Sequence, residues 1–510
     1  MTSNANAAKW FVDRHRDGKF AQKAAFIEAG ENGRTLTYGD LAEQTDCMPD
    51  LLARHDIRRE DRALMLVLDE IEFPIIFWGA LKAGVVPTPV NTLLATEIYD
   101  AILRDSRATA LFVSAPLFEV VEPLLANAPY LRKVFVIGGK AREGAFDFAT
   151  ELAASAPKAM VDASADEIAF WLYSSGSTGA PKGVRHVHSA LRATADTYGA
   201  QVLKIREDDV IHSAAKAFFA YGLGNAMTFP MSVGATTILN ADRPTPDGVA
   251  DILATHRPTV FCGVPTLYAA LGMHLEANGA PDCPLRISIS AGEALPADVG
   301  ARWKRLMGVD ILDGVGSTEM LHIFLSNAEG NLEYGTSGVA VPGYDVRLVD
   351  DAGKDVAQGE IGELLVRGAS AADGYWNQRT KSRATFAGEW THTGDKYEQR
   401  ADGRFVYCGR TDDMFKVSGI WLSPFEVEQA LTSHEAVLES AVVAHRDEQG
   451  LEKPMAFIVL APGATAPDTT ELKEYIKDRI GKWKYPRWIE IVPELPKTAT
   501  GKIQRFKLRG

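Results

Sequence analysis

Cysteine, excess positive charge and long apolar runs are all scarce in this sequence of 510 residues. The 4 cysteines stand far apart, without a CxxC pair or a nearby histidine, which argues against a disulfide scaffold and structural zinc. A formal net charge of −13 disfavours sequence-independent nucleic-acid binding, which needs a basic surface. The most apolar stretch, 73–86, contains Lys82 and is too short to span a membrane. Because the first residues also lack a secretory pattern, we expect a cytoplasmic protein.

Short apolar runs alternate with helical patterns over the first 400 residues. The runs 63–68, 110–113 and 134–137 are typical of buried strands, and residues 73–83 have the pattern of a helix. Continuous apolar strands separated by helices predict parallel sheets covered on both faces. The fold class is therefore α/β, with a large N-terminal domain that contains most of the chain.

The sequence changes character from about residue 340. Short strand patterns at 346–349, 364–367 and 405–407 are separated by Gly and Asp turns, which predicts a small β-rich subdomain. A compact mixed segment follows, and Ser423 combines with the next three residues into a helix N-terminus signal. We predict domains at 1–411 and 412–510, the second being a small mobile α+β domain.

The strongest local motif is the phosphate loop, which we define as residues 173–184, YSSGSTGAPKGV. It follows an apolar strand pattern at 168–172. Its glycines let the backbone approach a ligand closely, and its hydroxyls, amides and lysine are donors for phosphate oxygens. Taken alone, a solvated Ser/Gly loop is the commoner explanation. It is not a Walker loop, since Lys182 is followed by glycine rather than Ser or Thr.

Further motifs follow the phosphate loop in a fixed order. They are GSTE at 316–319, TGD at 393–395, GRTDD at 409–413 with Lys416 and Gly419, and PKTATGKI at 496–503. Together with the phosphate loop, they resemble the signature of the acyl-adenylate-forming superfamily of acyl-CoA synthetases, luciferases and peptide-synthetase adenylation domains. The resemblance implies ATP-dependent conversion of a carboxylic acid to an acyl-AMP with release of pyrophosphate, followed by transfer to a thiol. It makes 1–411 the adenylate-forming domain and 412–510 the domain with the catalytic lysine.

The resemblance also implies roles for individual residues. Thr318 bonds the α-phosphate, Glu319 holds Mg²⁺, and Lys502 bridges the carboxylate and the ATP phosphate, which makes these three the catalytic residues. ATP contacts are expected from Ser174, Ser175, Gly176, Ser177, Thr178, Gly179, Lys182, Gly292, Glu293, Ala294, Asp395 and Arg410. Asp412 is the expected hinge between the domains, and Gly419 is expected to line the coenzyme A tunnel.

Two segments, KAFFAYGLGN at 216–225 and DGVGSTEMLHIF at 313–324, resemble aryl-CoA ligases of the benzoate and hydroxybenzoate type. We expect small residues to leave a flat slot for an aromatic ring, walled by larger side chains. The predicted acid-binding residues are Ala220, Tyr221, Gly314, Gly316, His322 and Ile323. The preferred ring substituent stays open, because each such contact is worth only about 1–3 kcal/mol.

The predicted protein is thus an AMP-forming acid–thiol ligase that uses ATP, Mg²⁺ and coenzyme A in aromatic compound degradation. Lysines and arginines at 482–509 form a basic patch that suits the phosphates of coenzyme A. We expect no nucleic-acid or membrane partner, and a monomer or homodimer. Two alternatives stay open: an enzyme that loads an aryl acid onto a separate carrier protein, and a non-catalytic nucleotide-binding module. Glu319 and Lys502 argue against the second.

Overall fold

The computed structural model describes residues 4–139, 142–175, 181–411, 413–417, 420–448, 450–481, 483–497 and 503–509. The chain divides into two compact units. The first contains residues up to 334 together with 340–345 and 367–391, and the second contains 335–339, 346–366 and the chain from 392 onward. This division groups strands 392–410 with the C-terminal residues, so the domain boundary at residue 412 stays a prediction.

A mostly parallel sheet forms the centre of the first unit. In order across the sheet, eight of its nine strands are Ile323–Ser326, Ile311–Gly316, Ile287–Ala291, Val260–Gly263, Val210–Ser213, Thr236–Leu239, Ala24–Glu28 and Thr35–Thr37, and the ninth, Val339–Ala340, lies beside the first of these. Among the eight, the first and last are antiparallel to their neighbours, and the rest are parallel. The carboxyl ends of parallel strands share one edge of a sheet, and ligands of open α/β folds bind beside that edge.

A second parallel sheet of the first unit has 5 strands. In order they are Val86–Pro89, Arg62–Leu66, Ala110–Ser114, Lys133–Ile137 and Phe146–Asp147. Leu64, Leu111 and Val136 belong to one buried cluster on this sheet, together with Ile102 of a covering helix. The predicted buried strands at 63–68, 110–113 and 134–137 are confirmed.

Helices cover both parallel sheets. Those of the first unit are Ala7–Phe11, Tyr38–Arg54, Glu72–Ala83, Thr96–Ser106, Phe118–Leu125, Phe148–Ala153, His188–Thr194, Ala220–Leu223, Phe229–Val233, Pro246–His256, Pro265–Asn278, Ala297–Met307 and Arg379–Thr385, with π-helical turns at Ala195–Val202 and Gly224–Thr228. Thr37 caps the second helix reciprocally with Asp40, as their spacing predicts. Over the described residues, no helix combines the length and apolar character needed to cross a lipid bilayer.

The second unit is built mainly from short sheets, as the sequence predicts from residue 340. The strands are Asp345–Val349, Ile361–Arg367, Trp390–Gln399 and Phe405–Arg410 in one sheet, Phe415–Val417 and Ile420–Leu422 in a second, and Val437–Arg446, Glu452–Leu460 and Trp488–Ile491 in a third. Helices Pro424–Thr432 and Thr469–Ile480 pack on the third sheet through a core that includes Val427, Val442 and Ile476. The Ser423 hydroxyl accepts a hydrogen bond from the Glu426 amide, so the predicted cap is present.

Candidate active site

The two ends of the phosphate loop are held by antiparallel strands. Strand Ile168–Ser175 pairs with Pro181–Val187, which places Ser174 opposite Lys182. The short strand Gly374–Tyr375 adds to the second of these, with Tyr375 opposite Val184. Residues 176–180, with Gly176, Ser177, Thr178 and Gly179, lie outside the described residues, as does the side chain of Ser175. The described ends therefore fix where Lys182 lies, and the loop's ligand contacts stay a prediction.

Lys182, Glu319 and Tyr375 come together in the first unit. The Lys182 Nζ lies 4.0 Å from the Glu319 Oε1 and 4.6 Å from the centre of the Tyr375 ring. The Tyr375 hydroxyl donates a hydrogen bond to the same Glu319 oxygen at 2.8 Å. The structure thus brings a predicted phosphate-binding lysine next to the predicted metal-binding carboxylate.

Hydrogen bonds from backbone amides hold the segment 317–320 in place. It directly follows strand Ile311–Gly316, and the Ser317 hydroxyl accepts a hydrogen bond from the Met320 amide at 3.1 Å. The Glu319 carbonyl accepts from the Ala372 amide at 2.8 Å. Thr318 is half-buried beside it. A carboxylate held in this way keeps its oxygens near a defined point.

The residues around Glu319 suit a magnesium ion that shares its ligands with phosphate. Mg²⁺ in nucleotide sites is usually held by one or two carboxylates, while phosphates and water complete the octahedron. Within the described ranges, the one group of three acidic, histidine or cysteine side chains close enough for a metal is Glu28, Glu70 and Glu72, away from Glu319 in sequence. A single carboxylate beside a phosphate loop fits magnesium held together with ATP.

The predicted adenine turn, Gly292, Glu293 and Ala294, lies at the carboxyl edge of the central sheet. It follows strand Ile287–Ala291, whose last residue pairs with Gly314 on the neighbouring strand. Gly292 has φ +99°, a backbone conformation that favours glycine. The turn and the 313–319 segment therefore begin at neighbouring points of one sheet edge.

Tyr221 and His322 of the predicted acid slot are in contact. The His322 Nε2 lies 3.2 Å from the Tyr221 carbonyl oxygen, and the two ring centres are 5.7 Å apart. The Tyr221 hydroxyl donates to the carbonyl of Ile289 at 3.0 Å. Burial lowers the pKa of His322 to about 3, so this imidazole is neutral. Because the Tyr221 carbonyl can only accept a hydrogen bond, Nε2 carries the ring proton. Ala220, at the start of the same helix, is half-buried.

The structure gives Gly314 and Gly316 a role beyond the one that the sequence suggested. A Cβ at Gly314 would lie 2.9 Å from the Leu325 carbonyl oxygen and from Ile323, and one at Gly316 would lie 2.5 Å from the His322 carbonyl oxygen. These two glycines let strand Ile323–Ser326 approach closely. Atoms of residues 322–326 occupy the space that side chains at 314 and 316 would need. The aromatic slot itself therefore stays a prediction.

The predicted ribose pair belongs to the second unit. Strands Trp390–Gln399 and Phe405–Arg410 place Asp395 opposite Arg410, and an Arg410 nitrogen lies 3.0 Å from the Asp395 Oδ1. The same nitrogen donates to the Thr393 carbonyl at 3.0 Å. Gly394 between them has φ +71°, and a Cβ there would lie 2.9 Å from the guanidinium. The TGD motif thus supplies both the carboxylate and the room for its arginine.

Three predicted residues of the second unit, Asp412, Gly419 and Lys502, lie outside the described residues. Their roles stay predictions. The basic patch is partly neutralised within this unit. Its ion pairs are Lys484 with Glu426, Lys497 with Glu439, Arg505 with Glu428 and with Asp413, and Arg509 with Asp413.

Tyr375 is a site residue that the sequence analysis missed. It contacts both Glu319 and Lys182, yet it stands in a short GYW segment with no spacing rule that links it to the phosphate loop. The available signal was weak: two aromatic residues directly after a glycine. Strand pairing with Pro181–Val187 is what brings it to the site.

Comparisons with known proteins identify the family. A family model described as AMP-binding enzyme matches residues 13–376, and one described as AMP-binding enzyme C-terminal domain matches 426–502. A 4-hydroxybenzoate–CoA/benzoate–CoA ligase of Rhodopseudomonas palustris is 52% identical, covering 99% of this chain and 94% of its own. A benzoate–CoA ligase of Thauera aromatica is 51% identical, covering 94% and 93%.

The chain is also similar to solved structures of CoA ligases. A benzoate CoA ligase from Burkholderia xenovorans has a TM-score of 0.90 at 46% identity, with 99% of both chains covered. The anthranilate CoA ligase AuaEII, in complex with anthranoyl-AMP, has a TM-score of 0.93 at 39% identity, covering 99% of this chain and 96% of that one. The chain belongs to the AMP-binding enzyme family, the acyl-adenylate-forming enzymes that the sequence motifs predicted.

Proposed function

We propose that this enzyme ligates an aromatic carboxylic acid, benzoate or a hydroxybenzoate, to coenzyme A through an acyl-AMP. The observation that carries the proposal is the cluster of Lys182, Glu319 and Tyr375 at the base of the phosphate loop. The relatives at 52% and 51% identity, named for benzoate and 4-hydroxybenzoate, support an aryl acid as substrate.

The chemistry explains why such a site is needed. A carboxylate is a poor electrophile, because its charge repels nucleophiles and oxide is a poor leaving group. Attack of a carboxylate oxygen on the ATP α-phosphorus forms the acyl-AMP and breaks the bond to pyrophosphate. The coenzyme A thiolate then attacks the acyl carbon, and AMP leaves. The first step brings two anions together and depends on cations placed where charge develops.

The chain's own residues divide this work. Lys182 and the phosphate loop bind the pyrophosphate oxygens, Thr318 bonds the α-phosphate, and Glu319, oriented by Tyr375, is the carboxylate that holds magnesium. Bound magnesium would supply neutralisation of phosphate charge. Asp395 accepts hydrogen bonds from the ribose hydroxyls and Arg410 orients it. Lys502 brings a positive charge to the carboxylate and the α-phosphate.

The acid slot and the domain motion complete the proposal. Ala220, Tyr221 and His322 line the ring site at the sheet edge, and a neutral, buried His322 adds no charge beside an apolar ring. Both Lys502 and Gly419 lie beyond Asp412, although adenylation needs one and thiol transfer needs the other. We therefore propose that 412–510 is a mobile domain that rotates about Asp412 between the two steps, in a cytoplasmic enzyme.

One assay tests the proposal directly. The purified protein is given ATP, Mg²⁺ and benzoate, 4-hydroxybenzoate or octanoate, with and without coenzyme A, and AMP, pyrophosphate exchange and thioester are measured. We expect exchange with the aryl acids alone and thioester when coenzyme A is added. Exchange without thioester would favour loading of a carrier protein. No exchange would indicate a nucleotide-binding module, and equal turnover of octanoate would contradict aryl selectivity.

A further inference from the structure

The segment that contains Lys502 is closed at its base by backbone contacts. Lys497 and Ile503 form an antiparallel bridge, and the Gln504 amide donates to the Pro496 carbonyl at 2.7 Å. The residues between 497 and 503 lie outside the described residues. The chain then enters a short 3₁₀ turn, Arg505–Lys507. Arg505 is thus the first charged side chain after Lys502, on the side where the loop rejoins the domain.

Arg505 is bound to a buried carboxylate on the helix Pro424–Thr432. Its Nε and a terminal nitrogen donate to the two oxygens of Glu428 at 2.9 and 2.6 Å, a bidentate pair. Glu428 is 5% exposed, and its Oε1 also accepts from the Val442 amide at 2.7 Å. Burial disfavours the charged guanidinium, but Glu428 outweighs this effect and raises the pKa of Arg505. The guanidinium therefore stays charged, and the two hydrogen bonds hold it in place.

The same arginine faces the residue that follows the proposed hinge. An Arg505 terminal nitrogen lies 3.7 Å from the Asp413 carboxylate, and Arg509 forms a second ion pair with Asp413. The Asp413 amide donates a hydrogen bond to the Arg410 carbonyl at 3.0 Å. This bond connects Asp413 to the backbone of the predicted ribose pair. One side chain, Arg505, therefore bridges the hinge end and the lysine-loop end of the C-terminal region.

We propose that Glu428, Arg505 and Asp413 form a latch that makes the lysine loop move with the hinge. This inference rests on the proposed roles of Lys502 and Asp412. A rotation at residue 412 delivers Lys502 to the α-phosphate accurately only if the residue after the hinge and the base of the loop are one rigid body. Arg505 is a positioning residue in this account, and it acts through Lys502.

The competing explanation is that the latch only stabilises the fold. Removing one partner of a buried ion pair leaves the other charge uncompensated and destabilises the protein. A stability effect lowers the amount of folded enzyme and so reduces both half-reactions equally. A positioning effect falls on adenylation, because in the proposed mechanism Lys502 acts there and not in thiol transfer.

The test uses the full-length enzyme and its two half-reactions. Arg505→Lys keeps the charge but loses the bidentate geometry, and Asp413→Asn removes the hinge-side ion pairs while leaving Glu428 paired. Glu474→Gln is the control, since it breaks the exposed pair with Lys477 in the same unit. We measure kcat for benzoate-dependent pyrophosphate exchange, thioester formation from supplied benzoyl-AMP and coenzyme A, and thermal unfolding.

We expect Arg505→Lys to lower exchange about 100-fold, the effect of a misplacement of about 1 Å. Thioester formation should stay near the native rate, because it does not use the interaction that is lost. Asp413→Asn should lower exchange in the same direction, and combining the two should cost less than the product of the single losses, because both act on one contact. Glu474→Gln should change neither half-reaction.

Two outcomes overturn the latch. Equal losses in both half-reactions would assign the cluster to stability, and so would unchanged exchange with a lowered melting temperature. Lys502→Ala, run in parallel, separates this inference from the proposed function. If Lys502→Ala spares exchange, the proposed role of Lys502 fails; if it abolishes exchange while Arg505→Lys does not, only the latch fails.

Discussion

The Lys182 ammonium and the Glu319 carboxylate lie 4.0 Å apart, and both contact Tyr375. They come from a loop base and a strand end that are far apart in sequence. The Tyr375 hydroxyl orients the carboxylate, while its ring supports the lysine. A tyrosine in this position couples the group proposed to bind pyrophosphate to the group proposed to bind magnesium.

Tyr375→Phe is expected to weaken magnesium use without removing the ring. Loss of a hydrogen bond that orients a metal ligand typically costs about 10-fold or more in metal affinity. The Mg²⁺ concentration for half-maximal pyrophosphate exchange should therefore rise about 10-fold. Tyr99→Phe is the matched control, because it removes a buried hydroxyl that bonds the Asn91 carbonyl. An unchanged Mg²⁺ dependence would show that Tyr375 does not orient Glu319.

Asp395→Asn is expected to raise the KM for ATP about 10-fold, since hydrogen bonds to charged groups contribute about 1.5–3 kcal/mol. The amide loses the ion pair with Arg410 and accepts hydrogen bonds more weakly than a carboxylate. Steady-state kinetics at saturating benzoate measure this. Asp402→Asn, which breaks an exposed pair with Arg404, should leave the KM for ATP unchanged. Equal effects of the two substitutions would remove Asp395 from the nucleotide site.

Ala220→Leu tests the acid slot. Ala220 is the first residue of the helix that carries Tyr221, and its small side chain is half-buried. A larger side chain should occupy part of the ring site and raise the KM for benzoate about 10-fold or more, because overpacking costs about 1–3 kcal/mol. The KM for ATP should stay the same, which makes it the internal control. A benzoate KM that does not change would place the ring elsewhere.

Stability should fall as the pH drops below 6.5, because burial strongly lowers the pKa values of four histidines and keeps them neutral in the folded state. Burial lowers the pKa of His186 and His322 to about 3, and that of His188 and His212 to about 4. The unfolded chain protonates them near pH 6.5, so it binds more protons than the folded chain between pH 6.5 and about 4. Each histidine then removes roughly 1.4 kcal/mol of stability per pH unit.

Denaturant titrations at pH 7 and 5.5 measure this effect. His212→Gln should make the loss of stability between the two pH values smaller. The unfolded chain then takes up one proton fewer relative to the folded chain. His445→Gln, the same substitution at an exposed position, is measured in parallel. A pH dependence of His212→Gln equal to that of the native chain would show that His212 titrates alike in both states.

Much of the fold and site could be predicted from local sequence patterns. The capping pair at Thr37 and Asp40 and the helix start at Ser423 depend on neighbours a few residues apart, so they are visible in the sequence. The contact of Lys182 with Glu319 could be inferred only through the family motifs. Tyr375 could not be found, because its position depends on how one short strand pairs with another.

The glycines at 314 and 316 show a second limit of sequence reasoning. Small residues suggest space for a ligand. At these two positions, however, strand Ile323–Ser326 and the adjoining His322 occupy the space that side chains would need. The distinction depends on strand register, in which Gly316 faces Ile323 and Gly314 faces Ser326. A one-residue difference in register would change which atoms a Cβ meets.

This close strand approach restricts how the enzyme can be redesigned for other acids. A Cβ at Gly316 would come within 2.5 Å of backbone, which a rotamer change cannot relieve. Libraries that vary 314 or 316 should therefore yield mostly misfolded protein, whereas variation at Ala220 leaves the strand pairing untouched. With the ring in the proposed slot, selectivity for larger or substituted rings would be adjusted from the helix side, and a screen for new acids should begin at Ala220.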